Sequence, residues 1–181
     1  MNLQELKELT ASHESDRIEF KRSFVVQTLV CPDPSSTAQR HAAAKTVCGM
    51  LNGMGGFVLF GVDNQGEWVG QKVSSQTLEQ VSGELSRIEP PVFPDIETIA
   101  IGPGKSVVLL RVPGGTGPYT YDGRPYLRHG ATTTRMPRDE YERRLVERLH
   151  TTQRWENEPV PDGVTIADLD EEEVQNTVDE A

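Results

Sequence analysis

Three carboxylates lie within or at the ends of segments that look like strands. Glu14 precedes a short alternating segment, Glu19 lies within it, and Asp63 directly follows the apolar run from Phe57 to Val62. Mg²⁺ and Mn²⁺ prefer oxygen ligands, and carboxylates that converge at strand ends are typical of metal-dependent nucleases. Spacing alone does not establish convergence, because the five positions from Glu14 to Glu19 put them on opposite faces of a continuous strand. A metal site and solvated carboxylates therefore both remain open.

A second group of side chains has the chemistry of phosphate binding. Arginine and lysine contact phosphates, and an interleaved tyrosine can stack on a base. The candidates are Lys21, Arg22, Arg124, Tyr126, Arg128 and Arg135. Exposed Arg and Tyr are also common on surfaces that bind nothing, so the pattern favours a nucleic-acid interface without requiring one.

Gly104-Lys105-Ser106 resembles the end of a phosphate-binding loop. The motif needs an earlier glycine where this chain has Ile99, and it needs a helix to follow, whereas SVVLLRV is typical of a strand. We therefore predict a hairpin turn here.

Composition excludes several classes of protein. No segment approaches the roughly 18–20 apolar residues of a membrane span, and the polar N-terminus has no apolar signal region. Cys31 and Cys48 lack a CxxC spacing, which favours a reduced thiol state. We therefore expect a cytoplasmic protein with no membrane partner.

Charge is distributed unevenly along the chain. The formal net charge is −10, but ten of the 28 acidic residues lie in 156–181, where no Lys or Arg occurs. Residues 1–155 consequently hold 18 acidic and 18 basic side chains, so the low pI does not exclude nucleic acid as a partner. We predict one domain over residues 1–153 and an acidic, Pro-containing linker or tail over 154–181, which would lead to a further C-terminal part.

The order of patterns predicts an α+β domain. Apolar periodicity, capping residues and turn signals indicate the elements in sequence. They are a helix over 2–9, a strand over 17–21, a loop over 31–36, a helix over 37–49 capped by Asn52 and Gly53, a strand over 57–62, a helix from Ser74 or Ser75 to Arg87, a hairpin of IETIAI and SVVLLRV, a strand near 126–129 and a helix over 137–152. This order predicts one mixed β-sheet with flanking helices.

Taken together, these motifs resemble the Schlafen AlbA-like (AlbA-2) domain family. The matching elements are ExxxxEFK from Glu14, N-x-x-GG from Asn52, FGVDNxG from Phe60, the closing Gly70, and later VLLRVP and YLRHGATT. The resemblance covers roughly residues 10–150 and implies that family's fold. It also implies DNA binding, as in bacterial members that stand at the front of longer transcriptional-regulator-like proteins.

Animal members of the family imply a second activity. They cleave transfer RNA with a metal-binding carboxylate trio, which maps onto Glu14, Glu19 and Asp63 of this chain. Asn64 stands where animal members often have a further acid next to the third carboxylate.

Three hypotheses follow. The leading one is a nucleic-acid-binding module of a bacterial regulator-like protein, with DNA or RNA as partner and no cofactor. The alternative is a Mg²⁺- or Mn²⁺-dependent endoribonuclease, in which the trio holds the metal and Lys21 stabilises developing phosphate charge. The third is a protein-interaction domain, such as a homodimerisation domain, without nucleic acid.

Overall fold

The computed structural model describes residues 2–24, 34–115 and 117–152, together with 165, 170, 175–176 and 179. Regular elements alternate between helix and strand in its first part and are mainly strands later. They are α1 (Leu3–Thr10), β1 (Ile18–Lys21), α2 (Pro34–Leu51), β2 (Gly56–Phe60), α3 (Ser75–Leu85), β3 (Ile88–Glu89), β4 (Asp95–Gly102), β5 (Lys105–Val112), β6 (Thr120–Tyr121), β7 (Arg124–His129), β8 (Thr132–Arg135) and α4 (Arg138–Thr152). Within these described residues, none of the helices combines the length and apolar content of a membrane span.

The chain divides into two compact units, Met1–Arg148 and Leu149–Ala181. All the strands lie in the first unit. In the second, the Gln175 side-chain amide donates to Asp179 Oδ1 at 2.9 Å. The boundary predicted at residue 153 and most of the predicted acidic tail fall outside the described residues.

A four-stranded mixed sheet forms the centre of the first unit, in the order β1-β2-β5-β4. β1 pairs with β2 in parallel, and the other two pairs are antiparallel. The predicted hairpin is present as β4 and β5, joined at Pro103 and Gly104, where Gly104 has a φ of +65°. The prediction of an α+β fold with a mixed sheet and flanking helices is confirmed.

The prediction of a single sheet was wrong. A second four-stranded sheet has the order β3-β6-β7-β8, and all its pairs are antiparallel. β3 and β6 have two residues each, and β8 is the polar segment TTTR. Such strands carry no apolar alternation, so only their pairing with neighbouring strands of this sheet identifies them.

Helix α2 lies between the two sheets. On one side Met50 and Leu51 pack in a buried cluster with Val58 and Phe60 of β2. On the other side Gly49 faces β7, and a Cβ at this position would lie 3.1 Å from the nearest backbone atom of that strand. The helix begins at Pro34, so residues 34–36 are helical and not the predicted loop.

Helix α1 covers the opposite face of the mixed sheet. Its N-terminus forms a capping box, in which Asn2 Oδ1 accepts from Glu5 N at 2.8 Å and Glu5 Oε2 accepts from Asn2 N at 2.9 Å. Leu6 then packs with Phe20 and Leu59 in a second buried cluster. Both faces of the mixed sheet are therefore covered, which explains the almost unbroken apolar character of β2 and β5.

Asn52 ties the end of α2 to the second sheet. The side chain is buried, with 2% exposure, and its Nδ2 donates to Tyr119 O at 2.8 Å and Tyr126 O at 2.9 Å. Its Oδ1 accepts from Tyr119 N at 2.7 Å, and its backbone carbonyl accepts from Arg144 Nη1 of α4 at 2.7 Å. Sequence reasoning assigned Asn52 to the helix cap alone and missed this bridging role.

Candidate nucleic-acid interface

A buried ion pair joins β1 to β7. Strand β1 directs Glu19 into the interior, where its side chain is 6% exposed. Arg128 Nη2 of β7 donates to Glu19 Oε2 at 2.6 Å, and the Lys21 ammonium forms a close ion pair with Glu19 Oε1. Each oxygen of this carboxylate therefore has its own cationic partner, which compensates its removal from water.

The Arg128 side chain is hydrogen-bonded to interior acceptors. Its Nε donates to Ser15 O at 2.7 Å, its Nη2 donates to Ile18 O at 3.0 Å, and its side chain is only 2% exposed. This burial argues against the phosphate contact predicted for Arg128, because a side chain buried to this degree is not accessible to an external anion. It instead anchors the segment around β1 to the second sheet.

The other two predicted metal ligands hold backbone amides. Glu14 Oε1 accepts from Phe20 N at 2.9 Å, which fixes the turn before β1. Asp63 Oδ1 accepts from Gln65 N and Glu67 N, both at 3.0 Å, and so closes the turn after β2. The Asp63 contact to Gln65 N is the kind that aspartate makes in turns without any metal, and the Glu14 contact is a longer-range hydrogen bond to the backbone of β1.

The trio does not fit a shared Mg²⁺ or Mn²⁺ in this arrangement. Within the described residues, no group of three or more His, Cys, Asp and Glu side chains is placed to hold a metal ion. A cation at Glu19 would also have to displace Lys21 or Arg128. The metal-binding and catalytic roles predicted for Glu14, Glu19, Asp63 and Lys21 therefore have no support from their contacts and stay predictions.

We expect millimolar Mn²⁺ to leave the thermal unfolding midpoint unchanged, because a cation stabilises a protein only by binding its native state. Differential scanning fluorimetry with and without Mn²⁺ measures this, and Ca²⁺ serves as a control for ionic strength. A Mn²⁺-specific rise in the midpoint that Glu19→Gln removes would contradict the expectation and restore the metal hypothesis.

Three of the predicted phosphate-binding side chains are exposed cations. Arg22 directly follows β1, Arg124 begins β7, and Arg135 ends β8. Ion pairs among the described residues involve none of these three guanidinium groups. Unlike Arg128 and Lys21, they have no ion-pair partner in the described part of the chain that competes with a phosphate.

The hairpin of β7 and β8 brings two of these cations together with Tyr126. Tyr126 stands directly opposite Arg135 in the register, so both project from the same face of the sheet. Arg124 and the buried Arg128 share that face by the two-residue period of β7, and α2 covers the part around Arg128, where Gly49 approaches the strand. Lys45 of α2 places its Nζ 5.8 Å from the centroid of the Tyr126 ring. We call Lys45, Arg124, Tyr126 and Arg135 the basic face.

Lys45 is the member that sequence reasoning missed. It lies in the Ala-rich helical segment, far from Tyr126 in sequence, and nothing local indicates which sheet that helix contacts. Small alanine side chains allow close packing on both sides of a helix. The run of alanines is therefore the one signal in the sequence that this helix is enclosed.

A separate network connects α2, α3 and β6. The Tyr121 hydroxyl donates to Glu84 and lies 2.6 Å from His41 Nδ1, and Arg87 Nη1 donates to Glu84 at 2.8 Å. Burial, followed by the hydrogen bond to Glu84, raises the pKa of Tyr121 above its usual value. The network links three elements, and His41 has a partner that the sequence did not indicate.

Cys48 is a buried, free thiol in α2. Burial raises its pKa to about 12, since the interior disfavours the thiolate. The thiolate is the form that binds metal and reacts with disulfides, so Cys48 is placed for packing and not for redox chemistry. Cys31 lies outside the described residues.

Comparison with known proteins identifies a family for this chain. The model of the family described as Schlafen, AlbA_2 matches residues 14–137. No curated protein matches the chain significantly.

Two solved structures are similar to the chain. The DIP2311 protein of Corynebacterium diphtheriae is 19% identical with a TM-score of 0.53, and the match covers 78% of this chain and 27% of that one. The N-terminal domain of an ATP-dependent DNA helicase RecG-related protein from Nitrosomonas europaea is 24% identical with a TM-score of 0.43. The match covers 63% of this chain and 74% of that one. The first likeness concerns the fold alone, and the matched region is about a quarter of DIP2311. On the match over residues 14–137, the chain belongs to the Schlafen AlbA_2 family.

Proposed function

We propose that this domain binds DNA or RNA by placing the phosphate backbone across the basic face. The observation that carries the proposal is the register of β7 and β8, which puts Arg124, Tyr126 and Arg135 on one side of the sheet beside Lys45. Family membership supports an association with nucleic acid in general terms. The binding would serve a cytoplasmic, bacterial regulator-like protein of which this domain is one part.

The cations of the basic face are accessible to an external phosphate. Arg124 and Arg135 are exposed, and Lys45 is half-buried with its ammonium beside an aromatic ring. A phosphate that replaces water at such cations releases condensed counterions from the nucleic acid, which is the main source of affinity for sequence-independent binding. Half-buried Tyr126 offers the ring surface on which a sugar or base can pack between the charged contacts.

Replacement of any one of Lys45, Arg124 and Arg135 by alanine is expected to weaken binding and to flatten its salt dependence. Each lost phosphate contact reduces the slope of log K against log salt by about 0.9 for duplex DNA and about 0.7 for a single strand. Fluorescence anisotropy with labelled DNA and RNA, repeated across a series of KCl concentrations, measures both quantities.

Lys105→Ala is the matched control, because it removes one exposed positive charge from the first position of β5. An equal loss of affinity in this control would mean that net charge and not the basic face governs binding. Affinity that does not change between low and high salt in the unaltered protein would overturn the proposal. Light scattering after size-exclusion chromatography would then test the remaining hypothesis of a homodimerisation domain.

A further inference from the structure

A cavity of about 560 Å³ opens between the β7–β8 hairpin and the first turn of α4. Its apolar lining includes Pro125 and Met136, which are both buried, and the half-buried ring of Tyr141. Arg135 and Arg138, both exposed residues, also belong to this lining. The volume lies within the roughly 300–1,000 Å³ that small-molecule sites occupy.

Backbone hydrogen bonds hold the lining in place. Met136 N donates to Pro125 O at 3.0 Å, which couples the end of β8 to β7. Tyr141 N donates to Pro137 O at 3.0 Å and so begins the regular hydrogen bonding of α4. The cavity is therefore formed by regular structure and does not depend on a ligand to shape it.

The lining attracts anions. It contains no Asp or Glu among the described residues, and Arg135 makes no ion pair with any of them. Arg138 Nε donates to Glu142 at 2.7 Å, but both side chains are largely exposed, at 91% and 57%. An exposed pair of this kind contributes little, so a ligand phosphate can take the place of Glu142.

An aromatic ring, apolar surface and two guanidinium groups together match one chemical class, a nucleotide. We propose that this cavity receives a single unpaired base, which stacks on Tyr141 while Arg135 and Arg138 contact the adjoining phosphates. The bases of a duplex remain stacked and paired, so only a single strand or an unpaired end can supply such a base. This inference rests on the proposed function, and Arg135 belongs to both the cavity and the basic face.

The inference requires the domain to bind a single strand more tightly than a duplex of the same sequence. One base stacked on an aromatic side chain strengthens binding by about 5- to 150-fold. Tyr141→Leu is expected to remove this preference while leaving duplex affinity unchanged, and Tyr141→Phe is expected to retain it because the ring is preserved. Thermal unfolding of both variants checks that they fold.

A second measurement uses a mononucleotide, for which basic-face contacts are few. AMP added to the protein is expected to shift the NMR signal of the Met136 methyl group, and inorganic phosphate at equal concentration is not. Arg138→Ala, at a highly exposed position, should weaken the AMP effect without affecting the fold.

The outcomes separate the cavity from the basic face. The cavity inference is overturned if the domain binds single strand and duplex with equal affinity. The proposed function then still holds, provided that Arg124→Ala weakens the binding of both forms. The cavity inference also fails if Tyr141→Leu weakens both forms equally, or if AMP leaves the Met136 signal in place. Absence of binding to either form overturns the proposed function and the cavity inference with it.

Discussion

Arg128→Ala is expected to lower the free energy of unfolding by about 3–5 kcal/mol, the usual cost of removing one partner of a buried ion pair. The truncation leaves Glu19 buried at 6% exposure, with Lys21 as its one remaining cationic partner. It also deprives the Ser15 and Ile18 carbonyls of the guanidinium that donates to them. The two lost hydrogen bonds add to the cost, although Ile18 O keeps Ser15 N as a donor at 2.9 Å.

Urea unfolding followed by circular dichroism measures the effect of Arg128→Ala. Arg135→Ala is the matched control, because it removes the same group from the neighbouring strand at an exposed position, where substitutions usually stay within about 0.5 kcal/mol. Nucleic-acid binding should show the reverse order, with Arg135→Ala the more damaging of the two. A stable Arg128→Ala protein that has lost binding would mean that Arg128 reaches the ligand after all.

Asn52→Ala is expected to destabilise the domain by about 3 kcal/mol, since burial of unpaired polar groups is costly. Truncation leaves Tyr119 N, Tyr119 O and Tyr126 O without the amide that pairs with them. These groups lie where the second sheet meets the end of α2, so the loss should loosen β7 relative to that helix. Amide hydrogen exchange in β7 is expected to quicken beyond what the global loss of stability accounts for.

Asn52→Asp separates the donor from the acceptor. The carboxylate keeps the acceptor for Tyr119 N but cannot donate to the two carbonyls, so it is expected to be as damaging as alanine or more so. Asn64→Ala, at an exposed turn position, is the control and should change the unfolding free energy little. If Asn52→Ala matched Asn64→Ala, the bridge between α2 and the second sheet would contribute nothing measurable.

Local patterns predicted the strongly periodic elements and failed where pairing depends on distant partners. The β4–β5 hairpin follows from two apolar runs around Gly-Pro-Gly-Lys, which is a local signal. β3, β6 and β8 are too short or too polar to have one. The second sheet therefore depends on contacts with α2 and β7, which a local pattern cannot show.

The same distinction applies to the candidate site. Sequence reasoning found Arg124, Tyr126 and Arg135, whose proximity follows from one hairpin. It assigned Arg128 to the surface because arginine is rarely buried, and the exception needs a carboxylate 109 positions away in sequence. Spacing within one segment contains no information about such a partner.

Gly49 determines how closely α2 approaches β7. A methyl group there would lie 3.1 Å and 3.2 Å from two backbone atoms of the strand, so the helix would have to move outward. Glycine inside a helix lowers the stability by about 1 kcal/mol relative to alanine, but at this position it allows α2 to pack closely against β7. Lys45 lies one turn before Gly49 on α2, while Arg135 is paired to β7. The spacing between the backbones that carry Lys45 and Arg135 therefore depends on the absence of a side chain at Gly49.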